Sequence, residues 1–250
     1  MTDETGLPPE IALLWGARET PRRGPKPTLT VDDITRAAIE IADAEGLQAV
    51  SMAKVAAHLG NSTMALYRHV KSKRELLFLM ADASLAIPPK LPQDDDWRKN
   101  MKQWARNVMK AVGEHYWFGE IPVSAPPFGP RNLMWFDSAL STLAHTNLTE
   151  PEKAGLVMGL MTYVRGGYRL NMELSAGFKE NPAAFGRQYH NALTQLVDPR
   201  TYPALSKLIA SGIFDEETLW EGVSDGMDAD FEFGLETYLD GIAAYLERRS

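Results

Sequence analysis

The chain has 250 residues, 44% of them hydrophobic, enough for a proper core in one large domain or in a small domain joined to a medium one. It has no cysteine, which excludes disulfides, thiolate zinc sites and cysteine nucleophiles and fits a reducing compartment. No apolar run approaches the roughly 18 residues of a membrane span, and the opening MTDETGLPPE carries acids where a signal peptide carries bases, so a cytoplasmic protein that does not enter a membrane is expected.

The net charge of -7 is unevenly spread. Residues 16–80 hold ten Lys and Arg against seven Asp and Glu, or +3; residues 81–250 hold sixteen against twenty-three, or -7; residues 1–15 add three acids. A positive part on an acidic remainder suits a DNA-reading head on a body that does not touch DNA, with chance unevenness as the plain alternative.

Residues 1–28 read as a flexible basic arm. Its PRRGPKPT segment, broken by Pro and Gly, offers Arg22, Arg23 and Lys26 to a minor groove or to phosphates. Residues 29–86 read as a compact head. Thr30 and Asp33 have the spacing of a helix start, and Ile34, Ala37, Ala38, Ile41 and Ala42 follow with helical period up to Gly46. Ser51 opens a second helix, whose apolar stripe Val55, Ala56 and Leu59 stops at Gly60. Ser62 caps a third helix that runs to about His69, and Ser72 with Glu75 predicts a full capping box for a fourth. The second and third, joined by a tight Gly-containing turn, form a helix-turn-helix.

At 100° per residue the third helix turns Leu66 and Val70 inward, toward Val55 and Leu59, and Thr63, Met64, Tyr67 and Arg68 outward. Major-groove DNA matches that outer face. Thr63 can donate or accept, Met64 and Ala65 can meet thymine methyls, and Arg68 can bond guanine or phosphate, while Tyr67 suits a phosphate. Tyr67 and His69 can equally plug the small core. Lys54 and Lys73 sit in the first turns of the second and fourth helices, where the helix dipole disfavours cations and a bound phosphate offsets the cost.

Leu59, Gly60, the run LYRHVKSK at residues 66–73, and Leu76 and Leu77 together resemble the DNA-binding domain of the tetracycline repressor (TetR) family of bacterial transcriptional regulators. The likeness covers residues 29–80. It implies that Thr63, Met64, Ala65, Tyr67, Arg68 and His69 line the DNA face and that Lys73 holds phosphate. Met52 and Ala53 stand where many members carry a base-reading arginine, which argues against base readout from the second helix.

Residues 87–250 read as an effector-binding and dimerisation domain. A Pro-rich acidic connector, IPPKLPQDDDW, leads into helices predicted over 97–114, 130–145, 149–175, 182–197, 202–211 and 229–248, with no alternating strands. The fold class is therefore all-α. Phe231, Leu235, Tyr238, Leu239, Ile242 and Leu246 share one side of the last helix with Gly234 and Gly241, and the long helix carries Leu156, Leu160 and Tyr163. These faces suit either a four-helix interface between two copies, as the family resemblance implies, or the core of a single chain. Met101, Trp104, Met109, Trp117, Met134, Trp135, Tyr163, Tyr168 and Met172 suit an adaptable apolar pocket or an ordinary core. Asp137, Arg165, Arg169 and Glu173 can orient a ligand there or pair among themselves.

No metalloprotease, phosphate-loop or nucleophile-elbow motif is present, and the five histidines are scattered, so no catalytic residue, metal site or cofactor is assigned. The expected function is a homodimeric regulator bound to an inverted-repeat operator in double-stranded DNA and released by a small apolar or aromatic effector. A repressor is expected. An activator or an architectural DNA-binding protein of the same fold is the alternative.

Overall fold

In the computed structural model the described residues are 9–16, 29–92, 94, 96–122, 128–178, 182–212 and 226–249; the side chains of 9, 10, 174–178, 182–187 and 226–229 are not among them. All regular structure among these residues is helical. It comprises α1 (Pro9–Leu14), α2 (Val31–Glu45), α3 (Met52–His58), α4 (Thr63–His69), α5 (Lys73–Ala83), α6 (Trp97–Gly113), α7 (Pro130–Thr142), α8 (Glu150–Phe178), α9 (Pro182–Leu196), α10 (Pro203–Ala210) and α11 (Gly226–Glu247). Short 3-10 turns at Leu47–Ala49 and Tyr116–Glu120 complete the set. Two compact units, residues 1–161 and 162–250, divide within α8.

The head forms because each short helix is started by a side chain and stopped by a turn. Thr30 Oγ1 accepts from the Asp33 amide at 3.1 Å while Asp33 Oδ2 accepts from the Thr30 amide at 3.2 Å, so both halves of the capping box at α2 are present. Ser51, Ser62 and Ser72 each accept the amide three residues on, at 3.2, 3.2 and 3.1 Å. The box predicted for α5 has a different second half. The buried Glu75 carboxylate accepts from the amide of Lys71, one residue before the cap.

Between α3 and α4 the chain reverses at Gly60 with φ +62°, and the Asn61 amide returns to the Ala56 carbonyl at 2.9 Å. A Cβ there would meet nothing, so backbone conformation rather than space selects glycine. The turn delivers Leu66 and Val70 into a core with Ile34, Ala38, Val55, Ala56, Leu76 and Met80.

That core is completed from outside residues 29–86. Trp117 and Ile121, which follow α6, are enclosed in it, and Trp117 is 0% exposed. Its indole N-H donates to Asp43 Oδ1 at 2.6 Å, and His115 Nδ1 lies 2.8 Å from the same oxygen. One carboxylate at the end of α2 thereby fixes the chain that leaves α6.

A second departure concerns residues 1–28, predicted as a flexible arm. Part of it, α1, packs against α5 with Ala12 fully buried and Leu13 and Leu14 against the head core. Isolated helices this short do not form in water, so tertiary contact makes it helical.

Replacing Trp117 by Ala should remove about 3–5 kcal/mol from the unfolding free energy, the usual cost of emptying so large a buried site. Denaturant titration followed by circular dichroism checks it, and a loss under about 1 kcal/mol would show that the site collapses without penalty.

Candidate nucleic-acid interface and its junction with the body

With Leu66 and Val70 inside, α4 presents the opposite face to solvent. Met64 is 71% and Tyr67 41% exposed, Arg68 is exposed, and Thr63, Ala65 and His69 are half-buried. Ala65 packs on the head core while Ser62, exposed, spends its oxygen as the cap of α4. Large apolar side chains held in water on a seven-residue helix need another surface to cover them.

Cations frame this face. Lys73 and Arg74 lie exposed in the first turn of α5, and the Arg74 guanidinium sits 6.0 Å from the centre of the Phe78 ring. Lys71 Nζ donates to the Tyr67 and Arg68 carbonyls at 2.8 and 3.0 Å, capping α4 with positive charge where the dipole favours it. Lys54, predicted on phosphate, forms an ion pair with Glu45 across α2 and α3. His58 Nε2 lies 3.1 Å from Glu40 Oε2 in the same way. Arg22, Arg23 and Lys26 fall outside the described residues.

Two family models match the chain: one described as bacterial regulatory proteins, tetR family, over residues 34–80, and one described as tetracyclin repressor-like, C-terminal domain, over residues 88–246. The protein belongs to the TetR family. Among curated relatives, the HTH-type transcriptional repressor DrrR1 of Streptomyces coeruleorubidus is 34% identical over 96% of this chain and 86% of its own length. Among solved structures, apo ActR of Streptomyces coelicolor superposes with a TM-score of 0.73 at 26% identity, covering 90% of this chain and all of ActR. ActR in complex with actinorhodin gives 0.72 with the same identity and coverage. This TetR-family chain is therefore a transcription regulator with a helix-turn-helix DNA-binding head, and not an enzyme. No helix among its described residues is long and apolar enough to cross a membrane.

In this TetR-family protein the recognition helix is tied to the body through α5. Asp82, buried near the end of α5, accepts from the Arg131 and Asn132 amides at 3.3 and 3.0 Å and from Asn132 Nδ2 at 2.9 Å, so it caps the start of α7. Arg131 returns the exchange by donating to the Ala83 and Leu85 carbonyls at 2.5 and 2.8 Å. A Cβ at Gly129 would overlap the Asp82 carboxylate, so the chain must be glycine where it passes. The Trp135 indole donates to the Ala86 carbonyl at 2.8 Å, and the Trp104 indole to the Trp135 carbonyl at 3.0 Å.

The residues predicted for an effector fall into separate settings. Met101, Trp104 and Trp135 come together in the α6–α7 layer, with the two indoles edge-on at 6.4 Å and the Thr142 hydroxyl 3.6 Å from the Met101 sulfur. Met109 is half-buried on α6, whereas Met134 and Asp137 are exposed on α7. Trp117 stands apart from these, inside the head core. In the second unit Tyr163 stacks on Phe231 at 5.6 Å and donates to the Phe231 carbonyl at 2.7 Å. Burial first, then the charges of Asp230 and Glu232, hold its phenol pKa above the ordinary value. Burial also raises that of Tyr168, and Met172 is half-buried. Arg169 Nε donates to Glu173 at 2.7 Å. Burial, and secondarily the Arg169 charge, lower the pKa of Arg165.

The junction residues Asp82, Arg131 and Asn132 were missed by sequence reasoning. Their only signal is the unbroken GPRN at residues 129–132, a helix start with proline at its first position and no side-chain cap of its own.

Replacing Lys73 by Ala should weaken binding to all DNA sequences alike and reduce the slope of log affinity against log salt by about one. Replacing Arg68 by Ala should instead relax discrimination at one operator position by about 1–3 kcal/mol. Fluorescence anisotropy across a salt series and an operator-variant panel separates the two, and unchanged slope with full affinity would remove Lys73 from the phosphate contacts.

Proposed function

We propose that the protein is a ligand-released repressor that binds an inverted-repeat operator as a homodimer. The observation that carries this reading is the outward face of α4, where Met64, Tyr67 and Arg68 stand in solvent beside Lys73 while Leu66 and Val70 hold the helix from behind. Thr63, Ala65 and His69 complete the edge that enters the major groove, and Arg22, Arg23 and Lys26 supply further phosphate or minor-groove contacts. Lys54 reaches phosphate only by leaving Glu45. The likeness to the repressor DrrR1 supports repression over activation.

Dimerisation is assigned to α8 and α11. Leu160 on α8 and Leu235, Leu239 and Ile242 on α11 are each already buried within the single chain, but Met158, Leu170 and Phe233 remain exposed. Gly241 faces open space, which lets another helix approach closely. A two-fold dimer has to set its recognition helices about 34–36 Å apart, or a multiple, to enter successive major grooves.

The effector is assigned to the α6–α7 layer of the body, with Met101, Trp104, Met109, Met134, Trp135 and Asp137 as candidate contacts. ActR was solved with actinorhodin bound, which supports a small-molecule ligand for this chain. Because Asp82 and Arg131 lock α5 to α7, a ligand that moves α7 must move α5 and with it the spacing of the heads. A ligand shifts DNA occupancy only through its different affinity for the two states.

Selection of bound DNA from a random pool should return sites with approximate inverted symmetry. Sedimentation at micromolar concentration should give a dimer, and a monomer would sink the half-site reading. Actinorhodin and a panel of flat aromatic compounds should include one that quenches tryptophan fluorescence and releases the selected operator over the same concentration range. Quenching without release at saturation would disconnect the ligand site from DNA.

A further inference from the structure

The junction of α5 with α7 has a third member, contributed by the N-terminal helix. α1 packs along α5 through Ala12, which is 0% exposed, and Ile11, which is buried. Immediately after α1, the Trp15 indole N-H donates to the Phe128 carbonyl at 2.9 Å. Phe128 precedes Gly129, the position at which the Asp82 carboxylate leaves no room for a side chain. α1 and Trp15 together therefore grip both partners of the Asp82–Arg131 exchange: α5 by packing, and the lead-in to α7 by a hydrogen bond.

The two grips differ in strength. The packing contact is closed to solvent, with Ala12 at 0% exposure. The Trp15 ring is 51% exposed, so its hydrogen bond competes with water and is the attachment that yields first. Gly16, at φ +62°, ends α1 directly behind Trp15.

We infer that α1 with Trp15 is a regulatory strap: it holds the lead-in to α7 against α5, so that an effector which displaces α7 carries α5 with it. This rests on the ligand-released reading above. Slip of α7 past α5 has to break the Trp15–Phe128 bond, undock α1, or both, so the strap sets how much of the ligand's differential free energy reaches α5.

The test uses the full chain. Trp15→Phe removes only the indole donor and keeps a ring, while Ala12→Glu forces a carboxylate into the buried contact and evicts α1. The first readout is hydrogen exchange at the Arg131 and Asn132 amides, which Asp82 caps. Both variants should speed it on the order of tenfold relative to the native chain, with exchange in the middle of α2 unchanged as a check that the head remains folded. The second readout is the actinorhodin concentration that releases half of the selected operator, which should rise several-fold in Trp15→Phe because less of the α7 movement reaches α5. Unchanged exchange at 131 and 132 in both variants overturns the strap. Faster exchange with an unchanged release concentration also overturns it, because α1 is then a prop without a regulatory role. If actinorhodin leaves the operator bound even to the native chain, that ligand assignment fails, and the exchange readout alone decides whether α1 restrains the junction.

Discussion

A buried carboxylate cannot be left without donors, and Asp82 finds its donors in another helix. The amides it accepts belong to the first turn of α7, where a helix has free N-H groups and the positive end of its dipole. The α5 carbonyls at the same place are met by the Arg131 guanidinium from α7. Each helix end thus supplies what the other lacks. Pulling them apart strands a carboxylate, two amides and two carbonyls at once, at a cost of several kcal/mol, so α5 and the start of α7 behave as one piece. Since α5 also carries Lys73 at its other end, this exchange is one of the two mechanical links between the body and the outer face of α4.

The head depends on the body in a second way. Its core is closed by Trp117 and Ile121, and Asp43 on α2 is bonded to the indole of one and lies against His115. A cluster of helices this small buries little surface, and the large indole adds to the apolar volume of its core. The head therefore has two attachments, one at α5 with α7 and one at α2 with the segment after α6.

Electrostatics are divided by position. Lys54 with Glu45 and His58 with Glu40 brace α2 against α3, behind the recognition helix. Lys71 caps α4, leaving Arg68, Lys73 and Arg74 as the cations that, among the described residues, frame the α4 face without such a bracing role. These bracing pairs are exposed and individually worth little, about 0–1 kcal/mol, so DNA phosphates can compete for their lysine.

The sequence by itself determined the four head helices α2 to α5, the bounds of each within a residue or two, the inward Leu66 and Val70, the outward α4 face and the family, because these depend on short-range signals: caps, a period of 3.6, and a glycine at positive φ. It also placed the body helices, whose apolar period is long enough to read. Only the tertiary structure decided what the aromatics do, since a tryptophan in a pocket and one in a core have the same spacing. Trp117 went to the head core, and Trp104 and Trp135 spend their N-H groups on backbone carbonyls. The helicity of α1 was equally out of reach, as six residues carry no stable helix until α5 is there to cover Ala12. The Asp82–Arg131 exchange joins groups 49 residues apart through the carboxyl and amide ends of two helices. No local pattern encodes such a meeting; it exists only once packing has set the two helix ends against each other.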